Sequence, residues 1–227
     1  MSTLLRPGAS LARRPLHFIM LVDCSGSMAA SGKIVALNTA VRELLPHLGE
    51  IAARNPHAEL LMRVVRFASG AVWHLAEPTD PDRVDWVDLQ AGGYTDLGAA
   101  IDLVGEALTV PPMEERAAPP ALVLVSDGMP TDDYTGALGR LLQLPWGQRS
   151  VRMAVAIGRD ADRRTLAEFI GDPRVPPVSA SNPEQLVRGL RWAGTQVAAA
   201  ASSIAPMPVT PDDLVVAATE DGSGVIW

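Results

Sequence analysis

The chain of 227 residues is long enough for one large α/β domain with a tail, and its 48% hydrophobic residues can supply a substantial core. Its formal net charge of −7 argues against nucleic acids and anionic membranes as partners, because both favour basic surfaces. The single cysteine, Cys24, excludes an intramolecular disulfide and a cysteine-based zinc cluster. These properties favour a cytoplasmic protein, and no apolar run reaches the ~18 residues of a membrane-spanning helix.

The N-terminal segment has basic residues before an apolar run, an order that secretory signal peptides also have. The apolar run from Leu16 to Val22 is short, however, and it continues directly into a polar cluster. No small-residue cleavage site precedes that cluster. We therefore interpret the run as a buried strand and residues 1–14 as an N-terminal extension.

Short apolar runs alternate with longer helical patterns, an order that predicts βαβ units and a largely parallel, buried sheet. The runs expected to form strands are His17–Val22, Glu59–Ala68, Ala71–Leu75, Ala121–Val125, Val151–Ile157 and Pro177–Ala180. Ser69 and Gly70 leave a two-residue turn between the second and third runs, which predicts a hairpin. The third strand is therefore expected to be an antiparallel edge strand.

Apolar residues at intervals of three and four predict helices between these strands. The helical stretches are 34–51, 97–108, 186–197, Thr135–Leu144 and Asp162–Ile170, with a single helical turn at Val84–Asp88. The predicted fold class is α/β: a doubly wound, mostly parallel six-stranded sheet with one antiparallel edge strand and helices on both faces.

The last part of the chain is expected to lie outside this domain, which we place at residues 15–203. Residues 204–227 begin with a proline-rich stretch typical of a linker and end in the apolar sequence VIW after a Gly-Ser-Gly segment. Two interpretations of this apolar end stay open. It folds back onto the domain, or it docks to a partner or to a second copy.

Polar residues follow two of the predicted strands and begin one of the helices. They are Asp23, Ser25 and Ser27 after the first strand, Ser126 and Asp127 after the fourth, and Thr95 and Asp96 before the second helix. In an open α/β sheet, ligands bind outside the carboxyl ends of the strands, where the chain order reverses. The first and fourth strands are the expected neighbours at that point, so these residues are expected to meet at one edge.

The candidate ligands offer two carboxylates and three hydroxyls, from Asp23, Ser25, Ser27, Thr95 and Asp127. Hard divalent cations prefer oxygen ligands, and this compact set suits Mg²⁺, with Mn²⁺ and Ca²⁺ as alternatives. Gly26 allows the loop to bend so that the hydroxyls on either side of it face one point. The alternative for each residue taken alone is an ordinary helix cap or turn.

Three motifs resemble those of von Willebrand factor A domains. DCSGSM at residues 23–28 resembles the Asp-x-Ser-x-Ser signature that begins their metal-ion-dependent adhesion site. GGYTDLGAAI at 92–101 resembles the second part, with Tyr94 as one extra residue before the threonine, and LVLVSDGMPTDD at 122–133 resembles the third. The order and spacing match over about residues 15 to 203. With its closing segment NPEQLVRGLRWAGTQV, the chain is similar to the von Willebrand factor A proteins of bacterial tellurite-resistance and stress-response clusters.

The resemblance implies a metal-dependent protein-binding module without enzymatic activity. Ser25 and Ser27 would bind the metal through their hydroxyls, and Thr95 would bind it directly when a ligand is present. Asp23 and Asp127 would act mainly through waters. A Glu or Asp of a partner protein would complete the shell, and in the tellurite-resistance group the partners are thought to be a protein kinase and a PP2C-type phosphatase.

Two positions depart from this pattern or add to it. Cys24 occupies a place where the family varies freely, so the resemblance gives it no role as a ligand. Asp96 follows Thr95 directly and is expected to add negative charge near the site, which would tighten cation binding or discourage an acidic ligand.

Two other interpretations stay open. A magnesium-dependent phosphoryl-transfer enzyme would use Asp23 and Asp127, although the motifs contain no general base. A metal site that is purely structural or empty is the other. Catalysis by Cys24 is disfavoured because His17 lies at the far end of the same predicted strand, about 20 Å away.

Overall fold

The central strands of this sheet are apolar on both faces, which requires helices on both sides. In the computed structural model, which describes residues 13–202, all of β4 (Ala121–Ser126) is buried, as are the last eight residues of β1 (Arg14–Asp23). The predicted tail at 204–227 and most of the predicted N-terminal extension lie outside the described residues.

In the described part of the chain, the sheet has six strands in the order β3-β2-β1-β4-β5-β6. The other strands are β2 (Ala58–Ala68), β3 (Gly70–Thr79), β5 (Val151–Ile157) and β6 (Val178–Ala180). All neighbouring strands are parallel except β2 and β3, which form a hairpin through Ser69. The predicted α/β class and the antiparallel edge strand are confirmed, and β1 and β4 are neighbours where the chain order reverses.

Within residues 13–202, six α-helices lie between and after the strands. They are α1 (Lys33–Arg54), α2 (Leu97–Ala107), α3 (Tyr134–Gln143), α4 (Pro145–Arg149), α5 (Arg163–Ile170) and α6 (Pro183–Ser202). Phe18 and Met20 of β1 belong to a core shared with α1 and α6, whereas Ile19 and Leu21 belong to a second core with α2, α3 and α5. No helix among the described residues is long and apolar enough to cross a membrane.

The expectation of a helical turn at Val84–Asp88 was wrong. A 3₁₀ turn lies just before it, at Pro81–Arg83, because Asp80 caps the turn by accepting a hydrogen bond from the backbone N–H of Asp82 at 3.0 Å. Residues 84–88 then continue without regular secondary structure. Two short elements were also missed, α4 and a 3₁₀ helix over Gly26–Gly32, since neither is long enough to carry a periodic pattern.

The loop between β4 and α3 packs closely against the first turn of α2. The carboxylate of Asp132 accepts hydrogen bonds from the backbone N–H groups of Gly98 and Ala99, both at 2.9 Å. Asp132 therefore caps α2, whereas Asp96, which stands at the N-cap position, makes no side-chain capping bond. Gly98 permits this approach, since a Cβ there would lie 2.9 Å from the carbonyl oxygen of Asp133.

We expect Gly98→Ala to lower the free energy of unfolding by roughly 1–3 kcal/mol, because the added methyl would push the loop away from α2. The matched control is Gly139→Ala in α3, where the new Cβ would meet no atom within 4 Å apart from the adjoining backbone of its own helix. That change should stabilise the protein by about 0.5–1 kcal/mol through helix propensity. Urea unfolding of both variants measures the difference, and equal midpoints for Gly98→Ala and the wild type would contradict the close packing.

Candidate metal centre

The candidate site begins where the two central strands end side by side. The parallel register of β1 and β4 pairs Val22 with Val125, so Asp23 and Ser126 leave the sheet next to each other. The hydroxyl of Ser126 donates a hydrogen bond to Asp23 Oδ2. Asp127 follows directly, which brings the second predicted carboxylate to the same edge.

The predicted hydroxyl ligands of the first loop connect the two carboxylates. The backbone N–H of Ser25 donates to Asp23 Oδ1 at 2.8 Å, and Ser27 Oγ donates to Asp127 Oδ1 at 2.6 Å. The two serine hydroxyl oxygens lie 2.9 Å apart. Because Ser27 gives its single proton to Asp127, Ser25 is the donor between the two serines. A continuous chain of oxygen atoms therefore runs from one carboxylate to the other.

Thr95 approaches the same place from the loop before α2. A Cβ built on Gly128 would lie 3.6 Å from both Ser27 Oγ and Thr95 Oγ1, and 3.9 Å from Asp23 Oδ2. Two of these oxygens come from the end of β1 and the turn that follows it, and the third comes from the loop before α2; all three lie around the space that a side chain at position 128 would enter. The structure thus brings together all five residues predicted from the sequence.

Paired glycines let the loop that carries Thr95 reach the loop after β1. The N–H of Gly92 donates to the carbonyl of Cys24 at 2.8 Å, and the N–H of Gly26 donates to the carbonyl of Gly93 at 3.1 Å. Gly93 has φ of +87°, and a Cβ on it would lie 2.6 Å from Ser69 Oγ. A side chain at this position would therefore force the loop that carries Thr95 away from the turn between β2 and β3.

The carboxylate of Asp96 ties two neighbouring loops together. It accepts a hydrogen bond from the N–H of Gly70 at 2.7 Å and one from the hydroxyl of Thr131 at 2.9 Å. Thr131 also accepts from the N–H of Thr95 at 3.0 Å and donates its own N–H to the Thr95 carbonyl at 2.9 Å. Asp96, which the sequence suggested as extra charge near the metal, thus helps to fix the backbone of Thr95.

The two carboxylates are removed from water, whereas Ser27 is exposed. Asp23 is 0% exposed and Asp127 is 5% exposed. Burial raises the pKa of Asp23, the negative charge of Asp127 adds to the rise, and the hydrogen bonds from Ser126 and Ser25 oppose it. A nearby cation would favour the ionised form of such a carboxyl.

Lys33 is a member of the site that the sequence analysis missed. Its Nζ lies 2.6 Å from Asp127 Oδ2 and 3.9 Å from Oδ1 of the exposed Asp160, which follows β5. Lys33 is only 6% exposed at the start of α1. One signal was present in the sequence, because Lys33 is the single lysine among the 19 basic residues of the chain.

The other reactive side chains of the region do not add to the site. Burial raises the pKa of the Cys24 thiol to about 12, which leaves it protonated and a poor nucleophile at neutral pH. His17 is occupied at the opposite end of β1, where its Nε2 lies 3.0 Å from Glu114 Oε2. Among residues 13–202, no group of three or more His, Cys, Asp or Glu side chains could hold a metal ion. Any metal at this edge would thus depend on the hydroxyls.

The arrangement of strands, helices and edge loops is similar to solved structures. One is a von Willebrand factor type A protein from Catenulispora acidiphila, with a TM-score of 0.59 and 17% identity over 82% of this chain and 43% of that one. The chain has the von Willebrand factor A fold. No protein-family model matches the sequence, and no curated protein matches it.

Two further structures with this fold illustrate its range. The pilus adhesin SpaC from Lactobacillus rhamnosus GG has a TM-score of 0.65 and 12% identity, over 82% of this chain and 31% of that one. Proximal thread matrix protein 1 from the mussel byssus, solved with a zinc-occupied adhesion-site motif, has a TM-score of 0.62 and 17% identity over 82% and 48%. The chain spans less than half the length of each of these three proteins.

We expect metal-free Asp23→Asn to be more stable than the wild type at pH 7. A carboxyl whose pKa is raised by folding stabilises the protein below its unfolded pKa, and this contribution is lost as the pH rises through the folded pKa. Asparagine keeps the shape and carries no charge, so the advantage of the variant should shrink as the pH falls towards about 4. Urea unfolding with chelator at several pH values measures this.

The control for Asp23→Asn is Asp160→Asn, whose side chain is 83% exposed and should show no such gain. Equal or lower stability of Asp23→Asn at pH 7 would contradict the cost assigned to burying this carboxylate.

Proposed function

We propose that this chain is a non-enzymatic protein-interaction module that binds a divalent cation and uses it to hold an acidic residue of a partner protein. The observation that carries this proposal is the convergence of two carboxylates and three hydroxyls at the reversal point of the sheet. Only oxygen atoms are offered, which is the ligand chemistry of Mg²⁺ and, as alternatives, Mn²⁺ or Ca²⁺.

The spacing of the serine hydroxyls supports a small ion. Adjacent ligands of an octahedral Mg²⁺ at about 2.1 Å from the metal are about 3.0 Å apart. Ser25 Oγ and Ser27 Oγ are separated by 2.9 Å. In the proposed arrangement these hydroxyls bind the metal directly, Thr95 joins them when a ligand is present, and the buried Asp23 and Asp127 act mainly through waters. The bound cation would supply a coordination position for the partner's carboxylate.

Two exposed apolar side chains next to the site favour a protein as the partner. Tyr94 directly precedes Thr95 and is 69% exposed, and Met129 directly follows Gly128 and is 71% exposed. Apolar surface beside a polar centre is typical of protein interfaces. We infer that the partner presents its Glu or Asp next to apolar side chains that contact these two residues.

The cellular setting that we propose for this interaction follows from the resemblance of the sequence. The sequence resembles the von Willebrand factor A proteins of bacterial tellurite-resistance and stress-response clusters. On that basis the protein is a cytoplasmic scaffold or adaptor in a bacterial signalling system, and the proposed partners are a Ser/Thr kinase and a PP2C-type phosphatase.

The alternative is a magnesium-dependent phosphoryl-transfer enzyme that uses Asp23 and Asp127. The contacts of these carboxylates argue against it. Asp23 is 0% exposed, and the two oxygens of Asp127 accept hydrogen bonds from Ser27 and Lys33. Neither carboxylate is free to attack a substrate. Phosphatase and ATPase assays should detect no turnover, and metal-dependent turnover that Asp127→Ala abolishes would overturn the binding-module proposal.

Gly128→Ala is the sharpest test of metal binding. Its methyl group would make only ordinary van der Waals contacts with the surrounding oxygens, so the fold should be retained. The methyl group would fill the space that these oxygens share. We therefore expect Mg²⁺ and Mn²⁺ to bind at least about tenfold more weakly, as when roughly one contact between a ligand oxygen and the metal is lost. Calorimetric titration measures this, with Gly139→Ala as the control that binds like the wild type.

The Gly128→Ala experiment also has an outcome that rejects the proposal itself. If the wild type gives no heat and no gain in thermal stability at millimolar Mg²⁺ or Mn²⁺, the site is structural or empty. A Gly128→Ala variant that binds as tightly as the wild type would show that the metal lies elsewhere.

The proposed interaction predicts that capture of a partner from the native cell depends on the metal. We expect a kinase or phosphatase to be retained with Mg²⁺ and lost with chelator. Tyr94→Ser and Met129→Ser should each weaken this capture, because both remove apolar contact beside the metal. Val110→Ser is the matched control, since Val110 is 52% exposed after the end of α2, at the opposite edge of the sheet. Capture that is unaffected by chelator would contradict the metal-dependent mode.

A further inference from the structure

The only lysine of the chain lies inside the candidate metal centre. The sequence has 19 basic residues, and all except Lys33 are arginines. Lys33 is 6% exposed, and its Nζ lies 2.6 Å from Asp127 Oδ2. A buried ion pair with so short a contact is a fixed part of the site, unlike the flexible ion pairs of a surface.

The two oxygens of Asp127 have different partners. Oδ1 accepts the hydroxyl of Ser27 and so faces the predicted ligands, while Oδ2 accepts Lys33. A cation bound at the hydroxyls would therefore share this carboxylate with the ammonium group. The two positive charges would lie on opposite sides of one carboxylate, close enough to repel each other through a region with little water.

The charges of the site explain what such an ammonium group would do. When both are ionised, Asp23 and Asp127 supply two negative charges, which would neutralise a divalent cation completely. The ammonium group of Lys33 compensates one of these negative charges, so the centre with a divalent cation bound has a net charge of +1. One carboxylate from outside then restores neutrality. The nearby Asp160 changes this little, because its side chain is 83% exposed and screened by water.

Lysine suits this task better than the arginine used everywhere else in the chain. Its ammonium is a compact point charge on a flexible stem, whereas a guanidinium is planar and binds carboxylates through two parallel hydrogen bonds. A guanidinium paired in that way would occupy both oxygens of Asp127. The ammonium occupies Oδ2 and leaves Oδ1 to Ser27.

We propose that Lys33 is a built-in counter-ion that weakens metal binding by the free site and leaves the loaded site positively charged for an acidic partner. This inference rests on the proposed function and adds to it a reason why the metal and the partner would bind together. In this arrangement the free chain holds the cation loosely, and the partner's carboxylate completes both the coordination and the charge balance.

The test compares Mg²⁺ binding by the wild type, Lys33→Met and Lys33→Gln, by calorimetry with the metal alone. Lys33→Met removes the charge and the hydrogen bond, and Lys33→Gln removes only the charge and keeps a donor for Asp127. Both should bind Mg²⁺ about tenfold more tightly, as expected for the loss of one nearby positive charge at intermediate dielectric. The control is Asp160→Asn, which leaves the Lys33–Asp127 pair intact and should change the dissociation constant less than about threefold.

Unfolding measurements without metal separate this role from a merely structural one. Both Lys33 variants should be less stable without metal, because Asp127 loses its buried partner, and should gain more stability than the wild type when Mg²⁺ is added. If Lys33 had only a structural role, its replacement would lower the stability of the protein without increasing its affinity for Mg²⁺. If Lys33→Met does not fold, Lys33→Gln with its retained donor still decides the question.

The outcomes distinguish this inference from the proposed function. If the wild type binds Mg²⁺ and the Lys33 variants bind it equally or more weakly, the counter-ion role is wrong and the metal site stands. If the variants bind Mg²⁺ and the wild type does not, Lys33 blocks the cation instead of tuning its affinity, and both the counter-ion role and the proposed function are wrong. If none of the proteins binds millimolar Mg²⁺, the proposed function fails and this inference fails with it.

Discussion

The parallel pairing of β1 with β4 is the constraint on which the candidate site depends. Their register brings Asp23 and Ser126 out of the sheet side by side, and the hydrogen bond between these two side chains joins the strand ends. Asp127 follows at once, so a residue about a hundred positions away reaches the first loop. A slip of one residue would move Ile19 and Leu21 into the core that holds Phe18 and Met20, so the packing of the two cores fixes the register and keeps the two carboxylates together.

Close contacts between loops build the rest of the site on this edge. Gly93 and Gly98 have no side chain where a neighbouring loop passes, and Asp132 caps α2 from the loop after β4. Thr95 is thereby held between the turn that joins β2 and β3 and the loop that follows β4. A group that must stay within tenths of an ångström of its partners is best supported in this way, by several backbone contacts from rigid elements.

Burial of the two carboxylates at this edge of the sheet costs free energy, which neighbouring polar groups partly compensate. Asp23 and Asp127 lie away from water, where an unpaired carboxylate is costly, and hydrogen bonds from serines together with Lys33 compensate part of that cost. The remaining negative charge is what a cation would neutralise. The same burial that gives the proposed site its electrostatic strength also makes it a place of low intrinsic stability.

The sequence by itself determined the order of strands and helices, because buried strands and amphipathic helices repeat with local periods of two and 3.6 residues. It also determined which oxygen-bearing residues stand at the carboxyl ends of β1 and β4. Only the tertiary structure decided the pairing of Lys33 with Asp127 and the capping of α2 by Asp132, which join residues 94 and 34 positions apart. Local periodicity says nothing about the direction of a side chain at the end of a helix or in a loop. Such contacts depend on how elements that are far apart in the sequence pack against each other, and only the folded structure shows that packing.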